Sequence, residues 1–171
     1  QKRVICATIN EGRIINTYIV NGQSLDSEKF TYKLNWLTAL TEFLTQELKK
    51  YPKLALLGDF NIAPTDADVH NPDKWLGCNL VSPQERAAFQ KLIDLGLTDA
   101  FRLFEQPEKS FSWWDYRQMA FRRNAGLRID HILLSQPLAQ SCIKCVIDEE
   151  PRRHEQPSDH TPVWAQLDIA A

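Results

Sequence analysis

The chain has 171 residues, of which 43% are hydrophobic and 25% charged, and its formal net charge is −2. This length fits one domain with a buried core, and the composition is that of a soluble globular protein. No apolar run approaches the roughly 18 residues of a membrane-spanning helix, and Thr8 and Asn10 interrupt any signal-peptide pattern near the start. We therefore expect a cytoplasmic protein, and the bulk charge does not favour nucleic-acid binding.

The first part of the chain predicts a hairpin, a long helix and a buried strand. Residues 3–9 and 13–20 are rich in β-formers and flank a turn at 10–12, which predicts a hairpin. Apolar residues recur every three or four positions over about 27–50, which predicts one amphipathic helix. The continuous apolar run at 54–57 predicts a buried strand.

The second part predicts another helix and several short strands. Ser82 and Glu85 form a capping-box pattern around Pro83, which indicates the start of a helix that ends at Gly96. The remaining predicted strands are 110–114, 127–134, 142–148 and 163–168. No linker or repeat divides the chain, so we expect one α+β domain over 1–171, with a sheet-on-sheet core and outer helices.

Only two of the four cysteines, Cys142 and Cys145, are close in sequence. A zinc site favours two close pairs, or one pair followed by spaced histidines. The neighbours of this pair are typical of a strand, so ordinary packing is favoured over a metal or redox role.

A Gly-Asp-Phe-Asn motif at 58–61 follows the buried strand directly. Positions i and i+2 of an extended chain point the same way, so Asp59 and Asn61 can converge on one point while Phe60 turns into the core. Oxygen ligands of this kind suit hard divalent cations such as Mg²⁺. A polar turn, in which both side chains bond the backbone, is the competing interpretation.

A Ser-Asp-His motif at 158–160 precedes the last predicted strand, and Asp130 lies inside another apolar strand. The motif suits metal binding and phosphate stabilisation, although lone Asp-His pairs are common in loops. A carboxylate inside an apolar strand is costly unless it is paired. His160 is a sensible partner for Asp130, because a carboxylate on one ring nitrogen fixes the tautomer and orients the other nitrogen. A structural aspartate is the alternative.

Aromatic and basic residues suggest a nucleic-acid surface. The segment 111–117 interleaves aromatic residues with Arg117, which suits stacking and phosphate contact, but a core strand is the alternative and is favoured for Trp114. Tyr18 ends a strand and can donate to a phosphate oxygen, although core packing is favoured for it alone. Four arginines fall within twelve residues and form either a solvated face or a phosphate patch: Arg117, Arg122, Arg123 and Arg128.

Taken in order, these segments resemble the C-terminal two thirds of exodeoxyribonuclease III-type apurinic/apyrimidinic endonucleases, in the endonuclease/exonuclease/phosphatase superfamily. The motifs at 58–61 and 158–160 carry the superfamily likeness, and 113–117 and 126–130 carry the more specific one. The resemblance implies a four-layer αββα sandwich, deoxyribonuclease I-like, whose N-terminal part is absent from this chain. It also implies a monomer without membrane contact that uses Mg²⁺ or Mn²⁺ to hydrolyse double-stranded DNA at abasic sites and 3' ends.

The resemblance assigns roles to individual residues. The catalytic residues are Tyr18, Asp59, Asn61, Asp130 and His160. The metal ligands are Asp59, Asn61 and Asp159. The DNA contacts are Asn21, Trp113, Arg128, Ile129 and His160, of which Trp113 and Ile129 form the walls of an abasic-sugar pocket. In this scheme Asp59 activates water, Asp130 orients His160, and His160 contacts the phosphate.

The chain departs from the family pattern at its front. The family has a preceding segment with an asparagine and with the glutamate that is the main metal ligand, and neither is present here. We therefore expect a piece of a longer protein or the loss of metal-dependent catalysis. A catalytically silent nucleic-acid-binding module on the same fold is the alternative. A relative that acts on phosphoinositides or sphingolipids is disfavoured by the tryptophan-arginine segment.

Overall fold

Two β-sheets are present in the computed structural model, which describes residues 2–168. The strands are β1 (Val4–Ile9), β2 (Gly12–Tyr18), β3 (Leu54–Asp59), β4 (Leu97–Asp99), β5 (Asp130–Ser135), β6 (Cys142–Ile147) and β7 (Val163–Leu167). The larger sheet has the order β1-β2-β3-β5-β4, and β6 pairs with β7 in the smaller one. The helices are α1 (Glu28–Lys50), α2 (Pro72–Trp75), α3 (Pro83–Asp94) and α4 (Gln136–Ser141).

The predicted hairpin and both predicted long helices are confirmed. Asn10 and Glu11 have φ values of 46° and 65°, and positive φ at both central residues is what a type I′ hairpin turn requires. Ser27 caps α1 by accepting a bond from a backbone N–H of the first turn. Ser82 and Glu85 form the predicted capping box of α3.

The strand β3 is buried on both faces, as its continuous apolar run predicts. Leu54 and Leu56 pack with the apolar faces of α1 and α3, whereas Ala55 and Leu57 pack against β6, β7 and α4. The larger sheet therefore lies between a helical layer and the smaller sheet. This arrangement confirms the α+β class and agrees with the helix, sheet and sheet layers of the expected sandwich.

The predicted strand at 110–114 is wrong, and β5 begins later than expected, at Asp130. Trp113 makes only isolated bridges, to Leu127 and His160. The reason lies in Ser112, whose Oγ accepts the backbone N–H groups of both Ile129 and Asp130 at 3.0 Å. A side chain therefore satisfies donors that a continuous strand ladder would otherwise pair.

Strand register brings the polar residues of three strands to one edge of the larger sheet. β2 and β3 are parallel, so Tyr18 ends beside Asp59. β3 and β5 are antiparallel, so Asp130 at the start of β5 lies opposite Asp59. Within the described residues, none of the helices is long and apolar enough to cross a membrane.

Candidate active site

Gly58 allows β2 and β3 to approach closely just before the polar edge. Its φ is +135°, which L side chains rarely adopt, and a Cβ added there would lie 1.9 Å from the carbonyl oxygen of Thr17. Only glycine fits this position without a shift of the backbone. The close approach places Asp59 directly beside the end of β2.

Asp59 and Asn61 form a tight local pair. Asp59 Oδ1 accepts the backbone N–H of Asn61 at 2.9 Å, and Asp59 Oδ2 accepts Asn61 Nδ2 at 3.0 Å. Asn61 has a φ of +51°, a left-handed conformation that asparagine tolerates. Phe60 is fully buried between them, as predicted. The polar turn of the competing interpretation is thus present, and this turn itself orients the Asp59 carboxylate.

The Asn61 amide is held on every side. Its Nδ2 also donates to the carbonyl oxygen of Ile19 at 2.9 Å, and its Oδ1 accepts Asn21 Nδ2 at 3.3 Å. Asn79 Nδ2 donates to Asn21 Oδ1 at 2.8 Å and so fixes that amide in turn. Three loops are therefore linked through Asn61, whose Nδ2 bonds the Asp59 carboxylate.

Asp130 and His160 are joined as the sequence predicts. His160 Nδ1 lies 2.8 Å from Asp130 Oδ2, and His160 Nε2 lies 3.9 Å from Asp59 Oδ2. One ligand atom from each of the three residues lies within 4.8 Å of the others. The chain thus assembles two carboxylates and an imidazole from β3, β5 and the loop before β7.

Burial and neighbouring charges raise the pKa values of both Asp59 and His160. Burial, and then the negative charge of Asp130, raise the pKa of Asp59 to about 7. Burial alone would lower the pKa of His160, but its hydrogen bond to Asp130 and the charges of Asp130 and Asp59 outweigh this and raise it. A carboxylate that titrates near pH 7 is matched to accepting and returning a proton.

Comparison with known proteins shows the family of the chain. The model of the Endonuclease/Exonuclease/phosphatase family matches residues 4–160. The chain belongs to this family. Exodeoxyribonuclease III of Haemophilus influenzae is 41% identical over 98% of this chain and 67% of its own length.

Solved structures of family members superpose closely on the chain. A 3' phosphatase from Neisseria bound to product DNA hairpin has a TM-score of 0.96 and 50% identity, and the match covers 99% of this chain and 66% of that one. An AP endonuclease from Archaeoglobus fulgidus has a TM-score of 0.93 and 39% identity, with 98% and 65% covered. The chain spans about two thirds of the length of these relatives, and the resemblance predicted from the motifs is confirmed.

The candidate site offers oxygen ligands for a divalent cation. Two carboxylates converge, and burial together with their mutual repulsion disfavours the charged form of Asp59. A cation between Asp59 and Asp130 would relieve that repulsion, and carboxylate oxygens are the ligands that Mg²⁺ and Mn²⁺ prefer. The residues therefore fit a metal site. Asp159, expected as a ligand from the sequence, lies outside the group of three and accepts a bond from Trp113 Nε1 at 3.0 Å.

Tyr18 and Trp113 lie beside this group with part of each ring accessible. Tyr18 is 45% exposed and adjoins Asp59 across the β2–β3 pairing, so its phenol faces solvent at the edge of the site. The guanidinium of Arg3 lies over its ring, 5.2 Å from the centroid. Trp113 is half-buried and is oriented by Asp159.

The expected DNA contacts of Arg128 and Ile129 do not fit their positions. Arg128 is 1% exposed, and its guanidinium bonds Asp68 at 2.6 Å and Asp99 at 2.7 Å. Ile129 is 2% exposed and packs in an apolar cluster with Leu127. A guanidinium that is buried against two carboxylates cannot reach a phosphate. Of the four clustered arginines, those with exposed side chains are Arg117, Arg122 and Arg123.

Four residues that sequence reasoning missed hold the site in place: Lys33, Asn79, Glu85 and Ser112. Lys33 carried a readable signal, because it lies three residues after Phe30 and four before Leu37, on the apolar stripe of α1. A lysine at a core position needs a buried partner. Asn79 and Ser112 lie in loops without periodicity, where no such signal exists.

Proposed function

We propose that this chain acts in a Mg²⁺-dependent DNA repair nuclease that hydrolyses phosphodiesters at abasic sites and 3' ends of double-stranded DNA. The observation that carries the proposal is the convergence of Asp59, Asp130 and His160 within 4.8 Å. The names of the relatives, which include an exodeoxyribonuclease III, a 3' phosphatase bound to DNA and an AP endonuclease, support DNA as the substrate.

The contacts of each residue suit it to a different part of the reaction. Asp59, at the end of β3, accepts a proton from the attacking water. Asp130 holds His160 Nδ1, so Nε2 is free to donate to a phosphate oxygen as negative charge builds there. The phenol of Tyr18 lies at the same edge and donates to a second oxygen.

The carboxylates of Asp59 and Asp130 would hold the divalent ion, whose charge neutralises the phosphate oxygens when it is bound. Asn61 keeps the Asp59 carboxylate aimed through its Nδ2 bond. Asp159 accepts a bond from Trp113 Nε1 and so orients the ring. In this proposal the Trp113 ring forms a wall of the abasic-sugar pocket.

Cleavage of a labelled abasic duplex, with Mg²⁺ and with a chelator, tests the proposal on the 171-residue chain and on the native protein that contains it. We expect D59N and H160N to lower the cleavage rate at least about 100-fold, as loss of a general base or a charge-stabilising donor does. E42Q is a control, because Glu42 lies on the exposed face of α1. Cleavage by D59N and H160N at the wild-type rate would contradict the assigned roles. DNA binding without cleavage by any form would favour the silent binding module.

A further inference from the structure

Lys33 on α1 has no exposed side-chain surface, and its ammonium group joins three segments beneath the candidate active site. Its Nζ donates to the backbone carbonyl of Asn61 at 2.7 Å and to that of Asn21 at 3.2 Å, and it also bonds Glu85 Oε1. An ammonium group has three donors, so all of them are used. The two carbonyls belong to the loops that follow β3 and β2.

Glu85 is as deeply buried as Lys33, and both of its carboxylate oxygens are engaged. Oε1 also accepts the N–H of Leu80 at 3.0 Å, while Oε2 accepts the N–H of Ser82 at 3.1 Å and its Oγ at 2.6 Å. The start of α3 therefore fixes Glu85, and Glu85 fixes the ammonium group. Burial lowers the pKa of Lys33, and the charge of Glu85 opposes that effect.

The carbonyl groups that Lys33 holds belong to Asn61, whose side chain bonds Asp59, and to Asn21, whose side chain bonds Asn61. Asn61 is in the left-handed conformation, and its amide donates to Asp59 Oδ2 at 3.0 Å. Asn21 donates in turn to Asn61 Oδ1 at 3.3 Å. A hydrogen bond to each backbone carbonyl restricts rotation of that peptide group. It therefore also restricts the direction in which the side-chain amide of the same residue points.

We propose that Lys33, anchored by Glu85, is a positioning residue that sets the Asn61 amide so that the Asp59 carboxylate is held in its reactive orientation. The inference rests on the proposed nuclease function and adds a residue that touches neither substrate nor metal. The candidate site then extends from Asp59 through Asn61 to the buried ion pair of Lys33 and Glu85. A purely structural ion pair would change stability without acting through Asn61.

The test removes both charges together, in K33M/E85Q, because loss of Lys33 alone strands a buried carboxylate. Cleavage of an abasic duplex is measured with Mg²⁺ and saturating DNA. We expect kcat to fall by about 10- to 100-fold, with KM changed by less than about threefold, because orientation and not binding is lost. The same double change in an N61A background should cost less than about threefold further, since the pair acts through Asn61.

The matched control is R13M/E47Q, which removes another ion pair of the same helix. Arg13 Nε bonds Glu47 Oε2 at 2.7 Å near the C-terminal end of α1, and Arg13 lies at the start of β2, away from the polar edge. We expect this control to lower the free energy of unfolding while it leaves kcat within about twofold of wild type.

A second readout needs neither DNA nor metal. The side-chain amide resonances of Asn21 and Asn61, assigned by nuclear magnetic resonance, should shift or broaden in K33M/E85Q and stay in place in R13M/E47Q. An unchanged kcat, or an undiminished loss in the N61A background, would overturn the positioning role. If the wild-type protein cleaves no DNA, the proposed function fails, and the amide resonances alone decide whether Lys33 sets Asn61.

Discussion

His160 Nδ1 lies 2.8 Å from Asp130 Oδ2, and this bond links the loop before β7 to the first residue of β5. The bond leaves Nε2 facing Asp59, 3.9 Å from its Oδ2. Because Asp130 accepts at Nδ1, it fixes both the orientation of the ring and the nitrogen that carries a proton there. The function of His160 therefore depends on a residue 30 positions earlier in the chain.

Replacing Asp130 with asparagine should lower both the pKa of His160 and the rate of DNA cleavage. The Asp130 carboxylate is the main group that raises this pKa against burial, so its loss removes the stabilisation of the imidazolium. We expect cleavage to fall about 10- to 100-fold, as is usual when a residue that orients a site histidine is lost. An NMR titration of the ring and a single-turnover assay measure the two effects. A His160 pKa that is unchanged in D130N would contradict the explanation.

Replacing Gly58 with alanine should destabilise the fold by about 3 kcal/mol or more, because the new Cβ would lie 1.9 Å from the Thr17 carbonyl oxygen at a strained φ. Urea unfolding measures the loss. Gly96 supplies the control: its φ is +93°, but nothing lies within 4 Å of an added Cβ. We expect G96A to cost only the conformational strain, about 1 kcal/mol. Equal losses for the two variants would show that the close approach of β2 and β3 is unimportant.

His131 should make the fold less stable as the pH falls from about 6.5 toward 4. Its Nδ1 accepts a bond from Arg128 at 3.2 Å, so Nε2 donates to the Ile62 carbonyl at 2.8 Å and the ring is neutral. Burial, and then the charge of Arg128, lower the pKa of His131 to about 4, below its ordinary value of 6.5. The unfolded chain therefore takes up a proton first, and the free energy of unfolding drops by up to about 3 kcal/mol across this window.

Chemical denaturation at a series of pH values checks the contribution of His131. In H131N the loss of unfolding free energy between pH 6.5 and pH 4 should be smaller by about 3 kcal/mol, whatever the stability of the variant at pH 7. H154N is the control, since His154 is exposed, and it should keep the wild-type slope. An unaltered slope in H131N would mean that another group is responsible.

Arg128 should matter for stability and not for the salt dependence of DNA binding. R128K keeps a positive charge but cannot span Asp68 and Asp99 as the guanidinium does, so we expect a loss of about 3 kcal/mol in the free energy of unfolding. The exposed Arg122 and Arg123 should behave in the opposite way. R122A and R123A should change stability by less than about 0.5 kcal/mol, and each that contacts a phosphate should reduce the salt slope of binding by about 0.9.

Fluorescence anisotropy of a labelled duplex over a range of NaCl concentrations measures that slope. Urea unfolding at the same temperature checks that each variant is folded under the conditions of the binding assay. Because R128K keeps the charge, the slope of the charge-free variant R128Q decides this point: a reduced slope in folded R128Q would place Arg128 on the DNA surface.

Short-range patterns in the sequence determined most of the elements. The capping box at Ser82 and Glu85, the apolar stripe of α1 and the continuous run of β3 each act within a few residues, so they can be read without a structure. The strand predicted at 110–114 failed because the Ser112 hydroxyl accepts N–H groups from residues 129 and 130, which no local pattern reveals.

The sequence alone determined which residue types bear the chemistry, since Asp59, Asn61, Asp130 and His160 stand in recognisable motifs. Only the tertiary structure decided what each one faces. Strand register sets Asp130 opposite Asp59, and burial raises the pKa of Asp59. Burial also removes Arg128 from the candidate DNA contacts. The physical reason is that register and desolvation are set by residues far apart in the chain, whereas a motif records only its neighbours.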